Sequence, residues 1–329
     1  MTKPGNRVLV TGAAGFIGSH LVESLVRSGR RVRAFVTNNS KNDYGNLELL
    51  PSEVLREVEV LFGDVRDPDS VDNVVKGCDT VFHLAAMISV AYSFTNPVEF
   101  VQTNVLGTSH VLMSARKHEV ERIVHTSSSE VYGTAQFSPI SESHPLCAQS
   151  PYAASKIGAD MVAQSFFRTY DLPVVTLRPF NNFGPRQSAR AIIPTVISQA
   201  LARPVVKIGS RKPRRDFLYV GDTVRAYLAA EKRKEAVGQI INLGTGKTHS
   251  IADVITTVEG VLGRKLKVEE DKRRFRPKHA EVHLLVADAG LAKKTLGWRA
   301  ETPFTEGIRR TIDWTRDNLE RFKPGVYTR

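Results

Sequence analysis

The 329-residue chain is 41% hydrophobic, enough for a large core in one α/β unit or two lobes, and its 46 Lys and Arg against 34 Asp and Glu give a net charge of +12. The basic residues are scattered and no nucleic-acid motif accompanies them, which argues against a nucleic-acid partner and for a small anionic ligand. Cys78 and Cys147 are the only cysteines, with no Cys-x-x-Cys, and there is no signal peptide or bilayer-length apolar run, so a cytoplasmic protein with no metal and no membrane contact is expected.

Residues 7–11, Arg-Val-Leu-Val-Thr, read as a buried parallel strand. They run into Gly12-Ala13-Ala14-Gly15-Phe16-Ile17-Gly18 and then an amphipathic helix through Leu21, Leu25 and Val26, with a second strand at 31–36. Strand, glycine turn, helix and strand make a dinucleotide-binding unit, in which the helix-start N–H groups hold a pyrophosphate. An acid at the end of the second strand would mark an unphosphorylated ribose. Here the chain reads Thr37-Asn38-Asn39-Ser40-Lys41, with no acid until Asp43, so NAD and NADP both remain open. A third strand, 58–65, brings Asp64, which either bonds the adenine amino group or caps the helix starting near Pro68. A fourth, 80–86, ends in Leu84-Ala85-Ala86, small enough for a flat cofactor to lie against; His83 reads as a packed strand residue.

Long helices are expected at 97–118, carrying Asn104 and Gly107, and from Tyr152 to about Tyr170; they suit a helix-bundle homodimer. Strands are expected at 122–128 and 172–178. Beyond Arg178 the alternation loosens. The division reads as a nucleotide-binding domain over 1–179, with 215–246 returning to it, a substrate-binding lobe over 180–214 and 247–321, and a flexible tail at 322–329. The charged run 231–235 reads as a solvated helix end.

Tyr152 and Lys156 lie four apart, on one helix face. A phenol near pKa 10 is a poor base at neutral pH, and an ammonium one turn away, helped by a nearby cationic cofactor ring, favours its phenolate, making Tyr152 a candidate proton acceptor for a sugar or alcohol hydroxyl. The bland alternative is a surface pairing.

With Gly12-x-x-Gly15-Phe16-Ile17-Gly18, His83-Leu84-Ala85-Ala86, Asn104 and Tyr152-x-x-x-Lys156 in order, the whole chain resembles the extended short-chain dehydrogenase/reductase superfamily, its epimerase/dehydratase branch. The segments Thr126–Gln136, Arg178–Arg190 and Arg276-Pro277 are most similar to nucleotide-sugar 4,6-dehydratases of the legionaminic-pathway N-acetylglucosamine type. The resemblance implies an α/β fold, a Rossmann doubly wound parallel sheet with a smaller C-terminal substrate-binding lobe, and tightly held NAD, with NADP as the alternative. It implies a cofactor site of Gly12, Gly15, Phe16, Ile17, Gly18, Asn38, Ser40, Asp64, Val65, Leu84, Ala85, Ala86, Asn104, Tyr152 and Lys156. For a nucleoside-diphosphate sugar, with UDP- or GDP-N-acetylglucosamine foremost, it implies Asn181, Arg215 and Arg276 on the diphosphate, a helix starting at Ile193-Pro194 beside the base, and Glu281 on a sugar hydroxyl.

The implied reaction has Tyr152, helped by Lys156, take the C4 hydroxyl proton while Ser128 holds that oxygen. Glu130 takes the C5 proton, water leaves from C6 and the hydride returns there. One departure stands out. Hexose dehydratases of the dTDP-glucose type carry Asp before that Glu as the acid for the leaving hydroxyl; this chain has Ser129, so either Glu130 returns its proton or a water relays one. The alternatives are a UDP-glucuronate decarboxylase, a 4-epimerase, a 5,6-dehydratase and, from another class, a non-catalytic NAD(P)-binding regulator. For Glu130 the plain alternative is a strand-end carboxylate in a salt bridge.

Overall fold

The structure is a computed structural model that describes residues 6–39, 43–275, 277–324 and 326. In chain order it runs β1 (Arg7–Thr11), α1 (Phe16–Arg27), β2 (Arg31–Thr37), β3 (Val58–Gly63), α2 (Pro68–Val75) and β4 (Thr80–His83). A helical run then ends in α3 (Gly107–Lys117), followed by β5 (Arg122–Thr126), α4 (Pro151–Tyr170), β6 (Val174–Pro179) and β7 (Asn181–Phe183). After these come α5 (Ile192–Ala202), β8 (Val205–Ile208), β9 (Arg214–Arg215), β10 (Phe217–Tyr219), α6 (Val220–Lys232) and β11 (Ile240–Leu243). The chain closes with β12 (His249–Ser250), α7 (Ile251–Leu262), β13 (Lys267–Glu270), β14 (Leu284–Leu285), α8 (Gly290–Leu296) and α9 (Phe304–Asp317).

Seven parallel strands form the main sheet in the order β11-β6-β5-β4-β1-β2-β3. The near-continuous apolar runs have a simple cause: both faces are covered. Val8 and Val10 pack with Leu21 and Leu25 of α1 and Tyr227 of α6 on one face. Leu9 packs on the other with Val71 of α2, Val111 of α3 and Ala163 of α4. This is the expected doubly wound sheet, with the strand ends that carry the motifs at one edge. A separate core joins α5, β8, α7 and α9 through Ile193, Val196, Val206, Val254, Ile308 and Ile312.

Three expectations need correction. The helix from 97 to 118 is not one regular helix: an α turn (Pro97–Phe100) leads into a π-helical turn (Val101–Leu106) before α3. The extra residue in that turn swings Asn104 inward, where it is buried. In the run 231–235, Glu231 is buried and bonds Arg30 at 2.6 Å, because α6 packs along α1. Phe322 is buried and its ring lies 6.1 Å from that of Trp314, so the chain is anchored at least that far.

Candidate active site

Gly12 has φ +69°, and a Cβ there would come within 2.7 Å of the Ala85 nitrogen. A Cβ on Gly18 would meet the Gly12 carbonyl oxygen at 2.3 Å, so α1 can only sit this close to the turn if residue 18 is glycine. Among the described residues no side chain caps α1, which leaves the N–H groups of its first turn without a side-chain partner. Thr11 Oγ1 accepts from the Leu84 and Ala85 amides at 3.2 and 3.1 Å, holding the Leu84–Ala86 segment beside the glycine turn. Backbone donors over a small-residue floor fit a dinucleotide pyrophosphate.

Asn104 fixes the neighbouring turn. Its amide accepts from the Met87 nitrogen at 2.8 Å and donates to the Met87 carbonyl at 3.0 Å and to Ser155 Oγ at 2.9 Å, joining the loop after β4 to α4. Val65 is buried under Gly107, and its carbonyl bonds the His110 ring at 3.0 Å. Asp64 pairs with Arg66, whose hydrogen bonds hold the carboxyl below its usual range. The capping alternative for Asp64 is overturned, because Asp67 accepts from the Asp69 and Ser70 amides at the start of α2. His83 is the packed residue expected, bonded to Thr11 at 2.8 Å and Thr108 at 3.0 Å. Asn38 is exposed at the end of β2. Ser40 and Arg276 lie outside the described residues.

The helix that carries Tyr152 and Lys156 is well specified. Ser150 accepts from the Ala153 amide at 3.1 Å and Pro151 occupies the first helical position. Tyr152 is 7% exposed and Lys156 3%. Lys156 Nζ donates to the Thr126 carbonyl at 2.6 Å. Ser128 hydrogen-bonds the Tyr152 phenol and also accepts from the Glu130 amide at 3.2 Å. Ser128, Glu130, Tyr152 and Lys156 are therefore brought together, with Ser129 buried behind them.

The protein's own groups do not by themselves favour the phenolate. Burial pushes Tyr152 up to about 12; the Ser128 hydrogen bond opposes this, and the Glu130 and Asp160 carboxylates add to it. Burial pushes Lys156 down to about 8, against the attraction of Asp160. The protein alone thus keeps the phenol protonated.

On the lobe side, Arg215 is buried and its guanidinium lies 3.6 Å from Glu281, so these two predicted contacts form one ion pair. Among the described residues the buried amide oxygen of Asn181 has no hydrogen-bond partner. Ile193 and Pro194 do begin a helix, but both side chains are buried in it, so what they can offer a base is backbone. Arg211, Lys212 and Arg214 are exposed, as expected.

The sequence reading missed a buried polar cluster. Asp160, Arg178, Tyr132 and Asn242 form a chain of hydrogen bonds behind Lys156. One signal was available: Asp160 stands four residues after Lys156, on the same helical face as Tyr152.

Comparison with known proteins gives a consistent picture. The profile of the family described as GDP-mannose 4,6 dehydratase matches residues 9–311. A dTDP-glucose 4,6-dehydratase of Streptomyces antibioticus is 36% identical over 96% of this chain and 94% of its own. A putative UDP-glucose 4-epimerase of Methanocaldococcus jannaschii is 33% identical over 94% and 99%. A double mutant of DesIV, a dTDP-glucose 4,6-dehydratase of Streptomyces venezuelae solved with NAD, superposes with a TM-score of 0.86 at 29% identity, covering 96% of this chain and 98% of that one.

Proposed function

We propose, for a chain that belongs to the GDP-mannose 4,6 dehydratase family, that it is an NAD-dependent enzyme converting a nucleoside-diphosphate hexose to its 4-keto-6-deoxy form. The observation that carries this reading is a second proton acceptor, the Glu130 carboxylate. Glu130 stands close enough to Tyr152 to act on its ionisation, so one site offers a proton acceptor for C4–OH and another for C5–H.

NAD, when bound on Gly12, Gly15 and Gly18, supplies the acceptor and later the donor of the C4 hydride and a cationic ring near Tyr152. Tyr152 takes the C4 hydroxyl proton, Ser128 holds that oxygen, and the Lys156 ammonium supports the charge on the phenol. The resulting C4 ketone acidifies C5–H, which Glu130 removes. Ser129 is too weak an acid to protonate the departing C6 hydroxyl, so Glu130 hands its proton on, directly or through a water. Arg215 and Asn181 face the sugar nucleotide's diphosphate from the lobe. UDP- or GDP-N-acetylglucosamine is the expected substrate, on the likeness of 126–136 and 178–190 to dehydratases of that type.

Proton NMR of the enzyme with UDP-N-acetylglucosamine, and separately with GDP, CDP and dTDP hexoses, tests this without added reductant. A new C6 methyl doublet is the expected outcome. A second reading, 4-epimerisation, draws on the serine at 129 and on the putative epimerase relative; it gives inverted C4 and no methyl signal. Loss of the C6 carbon from UDP-glucuronate would make the enzyme a decarboxylase instead.

We also propose a homodimer. The turn before α3, α3 itself and α4 carry Val98 (66% exposed), Val101 (53%), Leu106 (46%), Met113 (60%) and Met161 (46%) on the surface, an apolar face that a second copy would cover. Light scattering is expected to give a dimer mass that Met113→Asp with Met161→Asp lowers to a monomer; a monomeric parent protein would end this proposal. Among the described residues no helix is long and apolar enough to cross a membrane.

A further inference from the structure

We infer that Asp160 is a positioning residue for the proton-transfer pair: its buried carboxylate is the fixed counter-charge that holds Lys156 as an ammonium, and Arg178 locks that carboxylate in place. This rests on the reading in which Tyr152 and Lys156 move the C4 proton.

Tyr152, Lys156 and Asp160 succeed one another at four-residue spacing on α4, on one face that turns inward; Asp160 is 0% exposed. Its carboxylate is held by three residues from the sheet. Oδ2 accepts from Ser127 Oγ at 2.7 Å and from Arg178 Nε and NH2 at 3.1 and 2.9 Å, while Oδ1 lies 3.2 Å from His125 Nε2. Arg178 is itself tied from behind, donating to the Tyr132 hydroxyl at 2.9 Å, which donates to Asn242 at 2.7 Å. Burial alone would raise the Asp160 carboxyl, but the His125, Arg178 and Ser127 contacts outweigh it and keep it ionised.

A buried ion pair serving only to stabilise the fold gains little over apolar packing. This one stands one helical turn from the lysine of the site. The titratable groups around Lys156 come from every packed element. His83 on β4 and His125 on β5 are kept neutral, chiefly by burial. Tyr227 on α6 bonds Thr126 Oγ1 at 2.9 Å and is raised by burial, so it too is neutral. Tyr152 is raised, with Glu130 acting on that phenol, and Arg178 is taken by Asp160. Among the described residues, Asp160 is left as the group that favours the charged lysine. The same carboxylate disfavours the phenolate.

The sign follows. C4 oxidation rises as Tyr152 loses its proton and falls as Lys156 loses its own. Without the Asp160 charge both protons leave at lower pH, so both limbs of the profile move to acid together.

The test is the pH dependence of kcat/KM for C4 oxidation in Asp160→Asn. The expected result is a bell displaced to lower pH on both limbs by about 1 pH unit, the size of effect a close charge has on a buried group. A bell of reduced height with both limbs in place would reduce Asp160 to a structural role. If the single variant does not fold because Arg178 is orphaned, Asp160→Asn with Arg178→Met removes that charge as well. The same displacement is expected there, and an unmoved bell overturns the inference. Tyr152→Phe separates the two levels: a parent-like bell in that variant would remove the underlying reading itself, whatever Asp160 does.

Discussion

Replacing Tyr152 with phenylalanine is expected to lower the rate of C4 oxidation by about 10²–10⁴-fold, the usual worth of a positioned acid or base. Only one oxygen is removed. The ring keeps its edge contact with Phe100, 6.2 Å between centroids, and α4 keeps its cap at Ser150, so the melting temperature should stay near that of the parent. What is lost is the hydrogen bond with Ser128 and the group that receives the C4 proton. The measurement is the absorbance of reduced nicotinamide after mixing with sugar nucleotide. Accumulation at the parent rate would place the proton acceptor elsewhere.

Glu130→Gln is expected to divide the reaction in two. The amide has the shape of the acid but cannot take the C5 proton, so elimination should fall by about 10²–10⁴-fold. C4 oxidation needs Tyr152 and Lys156, not Glu130, and should persist, more slowly than in the parent. Without elimination no C5=C6 alkene forms, so the hydride on the reduced cofactor has no acceptor at C6. The signature is a reduced-cofactor signal that forms and stays, with no C6 methyl in the NMR spectrum. Full turnover in this variant would return Glu130 to the role of an ordinary salt-bridged carboxylate. A loss of both signals would mean that its charge is needed already for C4 oxidation.

Much of this was legible in the residues. The sheet strands follow from short β-branched runs, and the glycine turn from its place between β1 and α1, because both signals are local. The grouping of Ser128, Glu130, Tyr152 and Lys156 was legible through resemblance and is what the fold assembles. Contacts made across the sheet were not. Asp160 lies on α4 and Arg178 on β6, and the packing of that helix against the sheet brings them together. The π turn around Asn104 was hidden because a one-residue insertion leaves the apolar pattern almost unchanged over a single turn. Asp64 and Asp67 are equally good caps by composition. Backbone geometry chose between them. The ion pair of Glu281 with Arg215, far away in the chain, was likewise not visible in the sequence.

The order of strands has a consequence for the unfinished polypeptide. β6 lies beside β11 in the sheet, yet Ile240 is synthesised only after all of β7 to α6. Until then the outer rim of β6 is an open parallel edge on the nascent chain, the kind of template on which chains join one another. Two features blunt it: Arg178 places a charge on that strand, and Pro179 ends it without an N–H to offer. The arginine that locks the Asp160 carboxylate thus also places a charge on a strand whose edge stays open until β11 is made.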